Sequence, residues 1–170
     1  QYMKKDITGR YYPDMNPWQD QCDKIYEKYC KYKGYDDHSS ELVDKPYGNK
    51  DYFVYWHNDK IVAYTQLTRY RNSVVAGEFA WDYETPELNL GTFAQNFECE
   101  MYRDMRYLYY YSSYAYERVC EYKSHYNGFE WWTGRKWSRD KELFRELLNK
   151  DSDIESLRDL YYRQKDYYKE

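Results

Sequence analysis

The feature that most constrains the fold is a strand–helix–strand passage in the middle of the chain. Residues 74–82 are apolar and β-rich and predict a buried strand, residues 90–103 predict a helix, and residues 106–111 predict another strand. Two strands joined through a helix pair in parallel, because a tight turn connects only antiparallel neighbours. The passage therefore predicts a crossover within one sheet.

The segments upstream of this passage predict an antiparallel meander. Residues 52–56 are rich in β formers, residues 57–60 are turn-like, and the extended pattern resumes over residues 61–67. A second polar turn over residues 69–73 leads into the strand that begins the crossover. The sheet is thus expected to be mixed, with both antiparallel and parallel pairs.

Helices are also predicted before and after these strands in the sequence. Asn16 suits an N-cap and Pro17 the first helical position, and Gly34 ends the run. Residues 1–13 are read as irregular because Gly9 and Pro13 interrupt them, and residues 35–50 as a polar loop. Residues 113–126 predict a further helix, residues 130–137 a short strand or hairpin, and residues 138–170 a helical tail. The predicted fold class is α+β, with a domain over residues 1–137 and a helical extension over residues 138–170 packed on it.

Composition limits the class of protein. The chain has 26 Tyr, 6 Trp and 6 Phe among 170 residues, so the core must be largely aromatic and the chain folded. The net charge of −4 excludes a global basic field for nucleic acid. The four cysteines and three histidines show no metal-ligand spacing, so no metal is predicted. With no transmembrane run in the sequence, we expect a cytoplasmic protein without membrane contact.

A family resemblance appears in residues 52–137 and is specific in Leu90-Gly91-Thr92 and Tyr122-Lys123; one stretch of it without a gap is residues 81–93. These read Trp-Asp-Tyr-Glu-Thr-Pro-Glu-Leu-Asn-Leu-Gly-Thr-Phe. They resemble, without a gap, the Tyr-Asp-Pro-Asp-x-x-x-Leu-Ser-Leu-Gly-Thr-Tyr stretch of the arginyl- and leucyl-tRNA–protein transferases. Tyr122-Lys123 matches a later motif of that family, whereas Tyr111, Val119 and Cys120 depart from it. The resemblance implies a GNAT-like domain, the fold of many N-acetyltransferases, and the order of predicted elements agrees with that fold.

The resemblance also implies where the donor and the reacting groups lie. The donor is expected at the start of the helix that follows the third meander strand; the donor-binding residues are Leu90, Gly91, Thr92 and Phe93. A plain helix cap is the alternative. Glu78 lies where many GNAT enzymes place a general base, and Asp82 matches a family acid. Glu78 on a solvent-facing side of its strand and Asp82 as a turn cap remain open.

Contacts to an RNA donor are expected further along the chain. Tyr122 and Lys123 are candidates for stacking on a base and pairing with a phosphate. The local basic residues Arg135, Lys136 and Arg139 form a possible RNA patch, with an ordinary solvated face as the alternative.

The function predicted from the resemblance is aminoacyl transfer from aminoacyl-tRNA to an amine such as a protein N-terminus. The partners would be a tRNA acceptor end and an acceptor protein or peptide. An N-acetyltransferase using acetyl-CoA is one alternative, although such enzymes usually carry a loop richer in glycine than the single Gly91 offers. A GNAT-fold binding or assembly protein without activity is the other.

Overall fold

A five-stranded mixed sheet organises the first part of the molecule. The computed structural model describes residues 6–35, 48–112 and 118–151. The chain divides into two units, Gln1–Ser113 and Tyr114–Glu170, and each is described by itself. The division at residue 137 stays a prediction.

The described residues of the first unit form the sheet and two α-helices. The strands are β1 (Ile7–Pro13), β2 (Lys50–His57), β3 (Lys60–Tyr70), β4 (Ser73–Trp81) and β5 (Tyr109–Tyr111), and their order in the sheet follows their order in the chain. The helices are α1 (Gln19–Lys33) and α2 (Leu90–Asp104), and a 3-10 turn, Pro86–Leu88, precedes α2.

The predicted strand pairings are confirmed. β2, β3 and β4 pair antiparallel as a meander. β4 and β5 pair in parallel, with α2 as the crossover between them. The α+β class with a mixed sheet flanked by helices is therefore present.

The first strand, β1, was not predicted, and the expectation of irregular structure over residues 1–13 is wrong where the chain is described. β1 pairs antiparallel with β2 along its whole length. Gly9 lies within the strand and does not interrupt it. A larger residue would not fit there, because a Cβ atom at this position would lie 2.9 Å from the Phe97 ring of α2. Pro13 stands at the end of an edge strand, where a missing N–H is tolerated.

The two faces of the sheet hold separate cores, as the alternation of strand side chains requires. One face packs against α2; its buried residues include Phe53, Tyr55, Ala63, Leu67, Val74, Leu90, Ala94 and Tyr102. The other face packs against α1; its buried residues are Cys22, Ile25, Tyr52, Val54, Tyr64 and Ala80. The prediction that Asn16 is the N-cap of α1 and Pro17 its first residue is wrong, because the helix begins at Gln19 and Asn16 Oδ1 accepts a hydrogen bond from Trp18 N at 2.9 Å.

Several predicted boundaries are wrong. β5 begins at Tyr109 and not at Arg106, because Arg106 adopts φ 67° in the turn that ends α2 and Tyr107 N bonds back to Tyr102 O. The residues that are described from the helix predicted over 113–126 form a 3-10 helix, Arg118–His125.

The second unit adds a small hairpin and a helix. β6 (Trp131–Trp132) and β7 (Trp137–Ser138) pair antiparallel, which confirms the hairpin predicted there. A helix, α3 (Lys141–Asp151), follows and confirms the start of the helical tail. The remaining tail and most of the predicted loop over residues 35–50 lie outside the described residues. Within the ranges that the structure describes, no helix has the length and apolarity needed to cross a membrane.

Candidate active site

In the sheet of the first unit, β4 extends beyond its pairing with β5, and we call the space beside this part of β4 the opening. The parallel pairing of the two strands covers only Ser73, Val74 and Val75, opposite the three residues of β5. β4 continues from Ala76 to Trp81, and in the described part of the chain these six residues have no partner on β5. A crevice at the carboxyl end of parallel strands is the usual ligand position in sheets with crossover helices.

A β-bulge shapes the β4 side of this opening. Thr65 pairs with Phe79 and Leu67 with Ala76, so Gln66 of β3 faces two residues of β4, Gly77 and Glu78. Such a bulge re-aims side chains and changes the local pairing. Gly77 suits it because a Cβ atom there would lie 3.1 Å from the backbone oxygen of Gln66.

Glu78, the predicted general base, is the second of the two β4 residues at the bulge. Its side chain is half-buried, and the Tyr64 hydroxyl donates a hydrogen bond to its Oε1. The strand register places Glu78 and Tyr64 on the α1 face of the sheet. Glu78 is therefore neither a free surface carboxylate nor a sealed one, and its role as a general base stays a prediction.

Cys22 of α1 lies near the same carboxylate. Burial raises the pKa of the Cys22 thiol to about 11, and the negative charge of Glu78 adds to the rise. The Asn16 side chain amide donates to Cys22 Sγ at 3.3 Å and opposes the shift. At neutral pH the thiol is protonated, so it is a poor nucleophile.

Gln66 is the residue of this region that sequence reasoning missed. It is 4% exposed, it shares the α1 face with Tyr64, and among the described residues its Oε1 has no hydrogen-bond partner. An unpaired buried oxygen costs about 1–3 kcal/mol. A ligand N–H placed here would remove that cost. No sequence pattern marks it, because Gln66 reads as one polar residue in a strand.

The start of α2 divides the predicted donor-binding residues into two pairs. Leu90 is 2% exposed in the core, and the Phe93 ring packs against Tyr55 at 6.0 Å between centroids. Gly91 and Thr92 remain partly exposed. Asn89, before the helix, has φ 50°, and no described side chain caps the first turn. The backbone N–H groups of this first turn and the positive end of the helix dipole favour an anionic group.

Asp82 has the contacts of a turn cap. It is 2% exposed, accepts a hydrogen bond from Glu84 N at 3.3 Å, and pairs with Lys60 Nζ at 3.3 Å. These contacts fix the loop that connects β4 to α2. A catalytic role for Asp82 stays a prediction.

The remaining predicted site residues belong to the second unit. Tyr122 is 45% exposed, whereas Lys123 is 8% exposed and burial lowers the pKa of its ammonium. Arg135 and Lys136 are exposed at the turn between β6 and β7, and Arg139 pairs with Glu130 at 2.7 Å. Their roles toward RNA stay predictions.

A buried carboxylate on α2 ties the strands beside the opening together. Glu98, 1% exposed, accepts hydrogen bonds from the hydroxyls of Tyr55 (2.6 Å), Thr65 (2.5 Å) and Tyr110 (2.6 Å). Burial raises the pKa of this carboxyl, and the three hydroxyl donors oppose the rise. Tyr110 is the central residue of β5, so Glu98 holds β5 on the sheet where the opening begins.

Asp51 of β2 is a second buried carboxylate with hydroxyl partners. Tyr11 and Tyr102 donate to it at 3.0 and 2.8 Å, and Arg69 Nε lies 3.2 Å away. Burial raises its pKa as well, against these donors. Sequence reasoning missed both acids. For Glu98 a signal exists, since Leu90, Ala94, Glu98 and Tyr102 recur every four residues along the buried stripe of α2.

A groove of about 470 Å³ lies near the opposite edge of the sheet, away from the opening; it is lined by Asp6, Thr8, Arg10, Trp18, Trp56, Asn58 and Asp59. The Arg10 guanidinium lies 4.9 Å from the centre of the Trp56 ring, so this aromatic face is already covered. In the described residues, no group of three or more His, Cys, Asp or Glu side chains is arranged to hold a metal.

The fold can be compared with known proteins. The sequence matches no protein-family model and no curated protein. Among solved structures, an aminoglycoside acetyltransferase, meta-AAC0020, from an uncultured soil metagenomic sample has a TM-score of 0.50 and 15% identity, covering 71% of this chain and 84% of its own. A possible acetyltransferase from Clostridium difficile 630 has a TM-score of 0.51 and 18% identity, covering 74% and 97%.

A third structure, the integron cassette protein VCH_CASS6 from the mobile metagenome of V. cholerae, has a TM-score of 0.59 and 8% identity, covering 87% of this chain and 98% of its own. At these identities the likeness is one of fold. The protein has the GNAT fold, an α+β fold that it shares with acetyltransferases.

Proposed function

We propose that the first unit is an N-acyltransferase that takes an acyl group from an acyl-coenzyme A thioester and transfers it to an amine. The observation that carries the proposal is the opening of the sheet, where β4 continues past its bulge without a partner on β5 in the described residues. A thioester in this opening has strand backbone along one side and the partly exposed start of α2 at its end. The fold shared with an aminoglycoside acetyltransferase supports the same donor class.

The transfer uses residues of the α1 face. The amine nitrogen attacks the thioester carbonyl carbon, the C–N bond forms, and the C–S bond breaks with coenzyme A leaving as the thiolate. The proton lost by the amine passes to the Glu78 carboxylate, which the Tyr64 hydroxyl holds in place. Solvent then protonates the thiolate. Gln66 Oε1 accepts a hydrogen bond from an N–H of the amine, which supplies the partner that this buried oxygen lacks among the described residues.

Direct attack by the amine is favoured over an acyl-cysteine intermediate. The negative charge of Glu78 acts on the Cys22 thiol, and the pKa of about 11 keeps this thiol protonated at neutral pH. A protonated, fully buried thiol is a poor nucleophile. The kinetics should therefore require both substrates to be bound together.

One observation favours a second donor class, the aminoacyl ester at the 3′ end of a tRNA. The connection from β4 to α2, residues 82–89, contains a 3-10 turn with Pro86 at its start and no glycine, and the first glycine after β4 is Gly91 in the first turn of α2. A pyrophosphate is usually held by several backbone N–H groups of a glycine-rich turn. An ester makes no such demand, and positioning alone supplies much of the rate of its transfer. The acceptor would then be a protein N-terminus or another amine.

Ligand-linked stabilisation separates the two donors. A ligand present at 100 times its dissociation constant raises the free energy of unfolding by about 2.7 kcal/mol. A rise in melting temperature with acetyl-CoA alone supports the first proposal, and a rise with a 3′-aminoacyl-adenosine alone supports the second. No rise with either contradicts both.

Kinetics with a matched pair of variants tests the base. Glu78→Gln should lower kcat/KM for acyl transfer by about 100-fold or more and remove the ascending limb of the pH profile, while donor binding is kept. Glu100→Gln, on an exposed position of α2, should behave like the wild type. Full activity of the Glu78→Gln variant would show that another group takes the proton.

A further inference from the structure

We propose that the β6–β7 hairpin of the second unit binds single-stranded nucleic acid, with Trp132 and Trp137 stacking on bases and the turn contacting phosphates. The surface consists of these two tryptophans together with Arg135 and Lys136, and we call it the tryptophan hairpin. The inference does not depend on acyl transfer in the first unit.

Strand alternation explains why the two indoles face outward. Trp131 and Ser138 form one cross-strand pair, and Trp132 and Trp137 form the next. The Trp131 side is the inner side, since its ring lies 5.7 Å from the ring of Phe144 on α3 and its Nε1 donates to Asp140 O at 2.9 Å. The neighbouring pair must therefore lie on the outer side.

The outer pair presents a large aromatic surface. Trp132 is 44% exposed and Trp137 is 49% exposed, and their ring centroids lie 5.5 Å apart with an interplanar angle of 61°. The rings meet edge to face, so the pair leaves indole surface on which a base can stack. Adjacent exposed tryptophans are a costly arrangement for a surface with no partner.

The turn is built to hold this surface in place. Thr133 N and Thr133 Oγ1 both donate to Lys136 O at 3.0 Å, and Lys136 N donates to Thr133 Oγ1 at 3.2 Å. Gly134 supplies φ 94°, which other residues rarely adopt. A surface fixed before binding loses less entropy when a flexible strand settles on it.

Charge selects an anionic partner. The turn carries the exposed side chains of Arg135 and Lys136, and residues 131–138 contain no carboxylate. Arg139 adds no net charge here because Glu130 pairs with it at 2.7 Å. The chain as a whole has a net charge of −4, whereas Arg135 and Lys136 are two cations in a stretch that has no carboxylate. Indoles beside cations are the combination that binds bases and phosphates of single strands.

A membrane surface fits this arrangement less well. Trp, Lys and Arg are also enriched at membrane interfaces. Insertion requires apolar side chains at the leading edge, however, and the edge here is the polar turn Thr133-Gly134-Arg135-Lys136. The two indoles lie behind it on one face, where a strand of nucleic acid can run along the hairpin.

Fluorescence anisotropy with a labelled 12-nucleotide oligouridylate tests the proposal on the whole chain. Trp132→Ala/Trp137→Ala should weaken binding by about 10-fold or more, which corresponds to the loss of about one stacked base. Arg135→Gln/Lys136→Gln should weaken binding and reduce the slope of log affinity against log salt by about 1.4, for two contacts on a single strand. Tyr32→Ala, which removes an exposed aromatic ring of α1, should leave the affinity unchanged.

Melting temperatures show whether each variant is folded. If Trp132→Ala/Trp137→Ala does not fold, the affinity and salt dependence of Arg135→Gln/Lys136→Gln decide whether the hairpin binds the oligonucleotide. Heparin and vesicles of phosphatidylcholine with phosphatidylserine serve as competing ligands. Three results would overturn the proposal: no oligonucleotide binding at low salt, binding that is unaffected by both double substitutions, or preferential binding to heparin or vesicles.

Discussion

Replacing Glu98 by alanine would remove an acceptor shared by three hydroxyl groups, and two of them, those of Thr65 and Tyr110, set the expected cost, because the Tyr55 hydroxyl also lies 3.4 Å from Ala94 O. Tyr55, Thr65 and Tyr110 donate to its carboxylate at 2.6, 2.5 and 2.6 Å. A buried polar group left unpaired costs about 1–3 kcal/mol. Glu98→Ala should therefore lower the free energy of unfolding by at least about 2 kcal/mol. In a chain of this size that corresponds to a fall in melting temperature of about 4–8 °C.

Glutamine at this position should cost less and should change the pH dependence. Its amide oxygen can accept from Tyr55 and Thr65, and its NH₂ group can donate to the Tyr110 oxygen. Burial raises the pKa of Glu98 above its ordinary value of 4.5 in the folded state, so the folded protein holds this proton more tightly than the unfolded chain. The stability that Glu98 contributes is thus fully present below about pH 4.5 and is lost as the pH rises through the folded-state pKa. As the pH falls, the free energy of unfolding of the wild type should therefore rise relative to that of Glu98→Gln.

Urea unfolding followed by tryptophan fluorescence between pH 4.5 and 8 measures both effects. Glu100→Ala on the exposed side of α2 is the control and should stay within about 0.5 kcal/mol of the wild type. The reasoning fails if Glu98→Ala costs less than about 1 kcal/mol. It also fails if the difference between the wild type and Glu98→Gln does not vary with pH.

Three further predictions follow from close contacts and burial. Gly9→Ala should destabilise the protein by about 1–3 kcal/mol, because the new Cβ would lie 2.9 Å from the Phe97 ring. Urea unfolding measures this cost, with Gly128→Ala, which has open space around it, as the control. A cost for Gly9→Ala no larger than that for Gly128→Ala would refute the packing argument. Gly91→Val should leave the fold intact, since its Cβ would lie 3.7 Å from the Phe79 ring, and should weaken acetyl-CoA binding by about 10-fold or more in calorimetry; unchanged affinity would remove the start of α2 from the donor site. Cys22, with a pKa of about 11 and no exposed surface, should resist iodoacetamide at pH 7 in the native protein and react after unfolding, and rapid native modification in mass spectrometry would contradict its assigned environment.

The central sheet could be predicted because its strands carry their own signals. The β-rich segments of β2, β3 and β4 are separated by polar turns, and the helix before Tyr109 leaves parallel pairing as the simplest connection. β1 was missed because Gly9 and Pro13 are read locally as breakers. The reason for Gly9 lies in α2, far along the chain, where Phe97 occupies the space of its missing side chain.

The candidate site was only partly predictable for the same reason. Glu78 could be proposed from its strand position, and the structure adds the bulge at Gly77 and the Tyr64 hydroxyl, which depend on pairing between strands. Gln66 could not be found, since its importance is an unpaired oxygen that appears only when the sheet buries it. Glu98 reads as one more acid on a helix until its spacing within the buried stripe of α2 is considered.

Hydrogen exchange with and without acetyl-CoA tests the central claim most directly, because it locates the donor as well as detecting it. The account predicts slower exchange in two segments, Ala76 to Trp81 of β4 and Asn89 to Phe93 at the start of α2. The segments around Asp6 to Arg10 and Trp56 to Asp59, which line the groove at the other edge of the sheet, should be unchanged. Protection confined to that groove, or no protection at a saturating concentration, would contradict a donor site between β4 and β5.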